Sequence, residues 1–148
     1  MIGLMLFLHM LAVTGFVGIT LSSVFFVRYA LKKADPKKKI DIFKVIFIGD
    51  VFVLPFLVIL FGTGLYLVHV NHFSLVLPWI FVALVTFGLV SIGWLMHFLL
   101  RLRYFYQLKQ GKNGFKYFWV LYCVIASVMF LLFLMMMHDA ITQSTLFG

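Results

Sequence analysis

Four long runs of apolar residues, separated by three short polar links, determine how this chain is organised. The runs cover residues 2–27, 42–70, 78–100 and 118–137. A helix needs about 20 predominantly apolar residues to cross the hydrocarbon core of a bilayer, and every run is long enough. The pattern therefore predicts four transmembrane helices within a single membrane domain that occupies residues 1–148.

The polar links predict how these helices are arranged. All 12 Lys and Arg residues fall between Arg28 and Lys44 or between Arg101 and Lys116, so the first and third links lie on one side. The positive-inside rule places that side in the cytoplasm, with both termini and the second link outside. Short links favour antiparallel neighbours. We therefore predict an all-α fold, an integral membrane four-helix transmembrane bundle with up-down-up-down topology and both termini outside.

Composition agrees with a membrane protein and excludes several other classes. The chain is 65% hydrophobic and 11% charged, which is too little charge to cover the surface of a soluble domain. The formal net charge is +8, but all 12 basic residues lie in the two links, which indicates membrane orientation and not nucleic-acid binding. The single cysteine, Cys123, excludes an internal disulfide and a cysteine-based metal site.

The first run contains one imidazole, His9, among apolar residues. Helical periodicity places His9 on one face with Phe16, Thr20 and Ser23. Polar groups inside a membrane are costly and tend to be functional, so His9 is the first candidate for a site.

A second face of the same run is made of small residues. Gly15, Gly18 and Ser22 follow one another at helical spacing, which lets a neighbouring backbone come close.

The histidines near the outer ends of the runs predict a haem site. His69 ends the second run, His72 lies in the outer link and His138 ends the fourth run. Neutral imidazoles from two helices of a bundle are suitable axial ligands of a b-type haem. We predict haem b as cofactor, with His9 as one ligand and His69 or His138 as its partner. The alternative for the three outermost histidines is an ordinary interfacial position.

Methionines near His9 leave a copper site open as an alternative cofactor. Met5 lies one helical turn from His9, and Met10 follows His9 directly. Thioether sulfur together with imidazole suits Cu(I), so His9, Met5 and Met10 form the candidate set. Methionine is also a common filler of apolar helices.

One acidic residue, Asp50, lies inside an apolar run. An isolated carboxylate there is costly, so we expect Asp50 to pair with His97 or to be reached by Arg101. This buried polar pair could carry a proton or contact a substrate. It could equally be a structural clasp between the second and third helices.

The first run contains LHMLAVTGFVGIT, in which His9 is followed by Phe16 and Gly18. In this it resembles the first helix of a bacterial membrane superfamily of copper-resistance D proteins, HemJ-type protoporphyrinogen oxidases and related four-helix proteins. The superfamily carries a His, then an aromatic residue, then Gly. The resemblance rests on short motifs, namely LHMLAVTGFVGIT with His9, Phe16 and Gly18, GTGLYLV at 62–68, and Pro78-Trp79.

The resemblance implies haem binding through His9 and location in the bacterial inner (cytoplasmic) membrane as a multi-pass protein. The third helix of HemJ-type enzymes opens with Trp-Leu-His-x-Lys, whereas Trp79 is followed here by Ile-Phe-Val-Ala. Neither the His nor the Lys is present, so oxidase activity is not carried over and no catalytic residue is assigned.

These observations lead to one functional hypothesis with two alternatives. We predict a small integral membrane protein that binds haem b as a redox or accessory subunit. The alternatives are a non-catalytic structural subunit of a larger membrane complex and copper handling on the periplasmic side. The expected partners are the lipid bilayer and other membrane subunits or further copies of the chain, without nucleic acid.

Overall fold

The fold is all-α, as the sequence predicts. The computed structural model describes residues 1–33, 35–112 and 117–142. These form four helices, α1 (Ile2–Leu31), α2 (Pro36–Val70), α3 (Pro78–Lys109) and α4 (Phe118–Thr142), and the described part contains no strand. All four are long and apolar enough to cross a membrane, so the chain is a small multi-pass integral membrane protein.

The helices extend beyond the apolar runs into the basic links. α2 begins six residues before its run, where the Asp35 side chain accepts a 2.9 Å hydrogen bond from the backbone N–H of Lys37 and Pro36 occupies the first turn. Proline suits that position because its missing N–H needs no partner there. α3 continues past Arg101 to Lys109, since a change from apolar to basic residues does not end a helix.

Sequential helices are neighbours in the bundle. α1 packs most closely with α2, and α3 with α4, whereas α2–α3 and α4–α1 contacts are sparser. Among the described residues, the backbones of the diagonal pairs α1/α3 and α2/α4 do not approach each other. The bundle is therefore two close helical hairpins laid side by side. We call the end at which α1 and α3 finish the basic end.

Side chains from all four helices fill the space between the hairpins. Toward the basic end, the buried core consists of Val27, Ala30, Phe43, Ile46, Tyr104, Leu108, Phe118 and Tyr122. Nearer the middle of the bundle, Phe16, Val53, Val90 and Met129 form a second buried cluster with one residue from each helix. Large apolar side chains also cover the outside, as expected where lipid is the solvent.

Two glycines explain how each hairpin closes. A Cβ added at Gly15 would lie 2.6 Å from the Phe56 ring of α2, and one at Gly93 would lie 2.6 Å from Met129 Cγ of α4. Both distances are shorter than a carbon–carbon contact allows. The absent side chains therefore let α1 approach α2 and α3 approach α4.

Candidate functional site

His9 is held between α1 and α2 by a hydroxyl. Its Nδ1 lies 2.9 Å from Thr63 Oγ1. The Thr63 hydroxyl donates its own hydrogen to the backbone carbonyl of Ile59 at 2.6 Å. Thr63 therefore accepts from His9, whose Nδ1 carries the proton. In a neutral imidazole this leaves Nε2 with a lone pair, which is the form that ligates metals.

The His9 ring lies against a glycine of α2. A Cβ at Gly64 would stand 3.4 Å from His9 Cε1 and 3.9 Å from Nδ1, which is a close but ordinary contact. Gly64 follows Thr63 directly, so the half-buried imidazole contacts both a hydrogen-bond acceptor and a position without a side chain. Thr63 was not among the predicted site residues.

The two candidates for the second haem ligand, His69 and His138, lie at the surface, and so does His72 of the outer link. His69 and His72 are exposed. His138 is also exposed, and its Nδ1 donates to Asp139 Oδ1 at 3.2 Å, where the Asp139 side chain is buried. No hydrogen bond within the described part of the chain joins His9 to His69 or to His138. The choice between these two as second haem ligand stays a prediction.

The candidate copper set lies on the first three turns of α1. Met5 is half-buried, as His9 is, whereas Met10 is 53% exposed. Met5 thus shares the protected side of α1 with His9, and Met10 faces the bundle exterior. Over residues 1–33, 35–112 and 117–142, no three His, Cys, Asp or Glu side chains are grouped so that they could hold a metal ion.

A second polar site lies inside the bundle near its basic end. Arg101 Nη2 of α3 donates to Asp50 Oδ1 of α2 at 2.7 Å, and both side chains are at least 96% buried. Arg101 lies eight residues before the end of α3, or about 12 Å along the helix axis. Of the two partners that the sequence left open for Asp50, the structure brings Arg101 into contact.

Hydrogen bonds extend this ion pair to the other two helices. Arg101 Nη1 donates to the Tyr122 hydroxyl of α4 at 3.2 Å. The Ser23 hydroxyl of α1 donates to the carbonyl of Thr20 at 2.7 Å, so the 3.0 Å bond between Ser23 and Tyr122 has Tyr122 as donor. The donors therefore point in one direction, from Arg101 through Tyr122 to Ser23.

His97 joins the same site through Tyr122 and not through Asp50. Its Nε2 donates to the backbone carbonyl of Tyr122 at 2.9 Å. Its ring stacks on the Tyr122 ring with centroids 4.1 Å apart and an interplanar angle of 12°. We call these five residues, Ser23, Asp50, His97, Arg101 and Tyr122, the polar network.

The polar network retains some hydrogen-bonding capacity. In the part of the chain that the structure describes, Asp50 Oδ2, His97 Nδ1 and Arg101 Nε are buried without a hydrogen bond. The indole of Trp94 lies beside Asp50, but its Nε1 does not reach hydrogen-bond geometry. Two acceptors, Asp50 Oδ2 and His97 Nδ1, and two donors, Arg101 Nε and Trp94 Nε1, therefore remain around the ion pair.

Sequence reasoning found the charged members of the polar network and missed Tyr122. Nothing distinguished Tyr122 from the five other tyrosines, because its role depends on which face of α4 meets α3. Ser23 was placed on the His9 face of α1, and that face does point into the bundle, with Ser23 and Phe16 buried.

Comparison of the chain with protein-family models, with curated proteins and with solved structures gives no match.

Proposed function

We propose that this small integral membrane protein binds a b-type haem through His9 and serves as a redox or accessory subunit in the membrane. The observation that carries the proposal is the hydrogen bond from His9 Nδ1 to Thr63, which leaves Nε2 available as a ligand. Metal-ligating histidines usually donate their second ring nitrogen to such an acceptor, which fixes the tautomer and the ring orientation. The resemblance of the first helix to haem-binding membrane proteins points to the same residue.

The chain's own residues would hold and orient the group. His9 would supply the axial nitrogen, and Thr63, itself oriented by the Ile59 carbonyl, would keep the imidazole neutral and correctly turned. His69 or His138 would be the second ligand. When bound, a b-type haem supplies one-electron redox chemistry at its iron.

Haem content of the purified protein tests this proposal. The protein extracted in mild detergent should have a b-type spectrum, oxidised and dithionite-reduced, and about one haem per chain in a pyridine haemochrome assay. His9→Ala should lose most of this haem while eluting from size exclusion at the same volume. His72→Ala is the matched control, because it removes an exposed histidine of the outer link, and it should keep its haem. A colourless native protein, or full haem content in His9→Ala, would contradict the proposal.

A copper site is the second candidate, because the free Nε2 of His9 and the half-buried Met5 sulfur lie one turn apart on the same side of α1. Imidazole and thioether ligands suit Cu(I). Metal analysis of the same preparation separates the two candidates. Copper that falls to background in both Met5→Leu and His9→Ala, with no haem in the native protein, would favour copper handling.

A further inference from the structure

A groove runs along the outside of the bundle between α1 and α2. It has a volume of about 410 Å³, which is within the roughly 300–1,000 Å³ range of small-molecule sites. The residues that line it are Thr14, Gly15, Gly18, Ile19, Ser22, Ser23 and Phe26 of α1 with Val45, Ile46 and Gly49 of α2. We call it the α1–α2 groove.

The α1–α2 groove lies mainly in the half of the membrane next to the basic end. Phe26 is five residues and Thr14 seventeen residues before the end of α1, so the groove spans from about 8 to about 26 Å along that axis. A bilayer has a hydrocarbon core about 30 Å thick, and one leaflet contributes half of it. The groove is about 18 Å long, so it runs along the acyl chains of the leaflet at the basic end and extends slightly past the middle of the bilayer.

Two lysines lie at the basic end of the groove. Tyr29 follows Phe26 by three residues on the same face of α1, and Lys33 Nζ lies 4.3 Å from the centre of the Tyr29 ring. On α2, Lys38 precedes the groove residue Val45 by seven residues, which is two helical turns, and is exposed. One lysine after α1 and one on α2 thus place positive charge at the basic end of the α1–α2 groove.

The surroundings leave this charge largely uncompensated. Between Arg28 and Lys44 the sequence has seven basic and two acidic residues. Both acidic residues are engaged, since Asp35 caps the first turn of α2 and Asp41 pairs with Lys44 at 2.9 Å. The mouth of the groove therefore complements an anion at the depth where phosphates of lipid headgroups lie.

We propose that the α1–α2 groove binds an anionic phospholipid of the leaflet at the basic end. One acyl chain lies in the groove against Gly18, which has no side chain to fill that space. Lys33 and Lys38 bind the headgroup phosphate. A helix of another subunit would fill the apolar part alone and would not use the two lysines. This inference does not depend on haem binding at His9.

Native mass spectrometry and thermal unfolding of the detergent-solubilised protein, titrated with phosphatidylglycerol or phosphatidylcholine, test the proposal. The native protein should retain one phosphatidylglycerol and unfold at a higher temperature with it than with phosphatidylcholine. Inorganic phosphate should have no such effect, because it has no acyl chain. Equal retention and equal stabilisation by the two lipids would overturn the proposal.

Two pairs of variants separate the chain-binding and headgroup-binding parts. Gly18→Leu fills the groove at a position where a Cβ meets nothing within 4 Å, and Gly62→Leu makes the same change at an equally open, exposed glycine outside it. Gly18→Leu should lose the retained lipid, and Gly62→Leu should keep it. Phosphatidylglycerol retained by Gly18→Leu would contradict the assignment. If Gly18→Leu also broke up an oligomer of the native protein, the groove would instead hold a helix of another subunit.

Lys33→Gln with Lys38→Gln should weaken phosphatidylglycerol binding about 25-fold, at roughly a fivefold loss per lysine near the membrane surface. Phosphatidylcholine binding should stay as it was. The control is Lys109→Gln with Lys112→Gln, which removes two charges at the same end of the bundle. Lys109 makes a comparable ring contact, with its Nζ 4.8 Å from the Phe105 ring centre. Equal losses in the two double variants would show a general charge effect and contradict a site at the groove.

Discussion

Arg101 of α3 and Asp50 of α2 are joined across the bundle by a 2.7 Å hydrogen bond between Nη2 and Oδ1, and both side chains are buried. Each hairpin contributes one charge to this pair. Tyr122 connects the same guanidinium to α4, and through Ser23 to α1. The ion pair and its two hydroxyl partners are therefore the one polar contact that involves all four described helices.

Removal of one charge from this pair should destabilise the folded protein far more than removal of both. Asp50→Leu or Arg101→Met alone should cost about 3–5 kcal/mol of unfolding free energy, because the remaining charge stays buried without its partner. The double variant should lose much less than the sum. A double-mutant cycle measured by reversible unfolding in mixed detergent checks this. Additive losses would contradict direct pairing.

The Tyr122 hydroxyl should contribute a smaller amount. Tyr122→Phe keeps the stack on His97 and removes only the oxygen that accepts from Arg101 and donates to Ser23. Hydrogen bonds between helices in membranes contribute about 0.6 kcal/mol on average and up to about 1.7, so we expect a loss of about 1–2 kcal/mol. Tyr106→Phe, at a 57% exposed tyrosine of α3, should change stability by less than about 0.5 kcal/mol. Equal effects of the two substitutions would argue against a role for the hydroxyl.

Thr63 should act on haem binding as a positioning residue. If His9 ligates haem, Thr63→Val should lower haem affinity about 10–100-fold, since it removes the acceptor for Nδ1. Thr63→Ser should restore most of the affinity. Haem titration followed by absorbance is the measurement. Thr14→Val is the control, because the Thr14 hydroxyl donates only to the Met10 carbonyl of its own helix, at 2.9 Å. Loss of affinity in both valine variants would point to helix destabilisation instead.

Gly93 should tolerate a methyl group poorly. Gly93→Ala would place its Cβ 2.6 Å from Met129 Cγ and 2.9 Å from its sulfur, so α3 and α4 would have to separate or Met129 to change rotamer. Overpacking of this kind costs about 1–3 kcal/mol. Gly88→Ala on the same helix meets nothing within 4 Å and should be neutral or slightly stabilising. Thermal unfolding of the two variants side by side makes the comparison. An unchanged unfolding temperature in Gly93→Ala would mean that α3 and α4 pack less closely at Gly93 than the 2.6 Å distance indicates.

The four helices could be predicted because each apolar run reaches the length that a bilayer requires, and short links leave few ways to connect them. Arg101 illustrates where such reasoning ends. Hydropathy places it at the start of a polar link, but α3 continues for eight residues beyond it and its guanidinium turns inward to Asp50. A basic residue at the end of an apolar run can face either the interface or the core, and composition does not distinguish them.

Candidate sites were predictable only as far as rare residues indicated them. His9 and Asp50 are conspicuous because imidazole and carboxylate are scarce in apolar runs. Thr63 and Tyr122 are ordinary in such runs, and their roles depend on which helix faces lie opposite each other. Thr63 lies between Gly62 and Gly64, and Gly64 packs against the His9 ring. The Thr63 hydroxyl between these two glycines accepts the hydrogen bond from His9.

The order of the polar network along the chain has a consequence for biosynthesis. Ser23 and Asp50 belong to the first hairpin, which is synthesised and can enter the bilayer before α3 exists. When Arg101 arrives, its counter-ion is already at the correct depth, and this offsets the several kcal/mol that a lone guanidinium would cost there. Tyr122 is added last, with α4. A chain in which Asp50 is replaced should therefore have difficulty at the moment α3 leaves the translocon, earlier than any defect of the finished bundle.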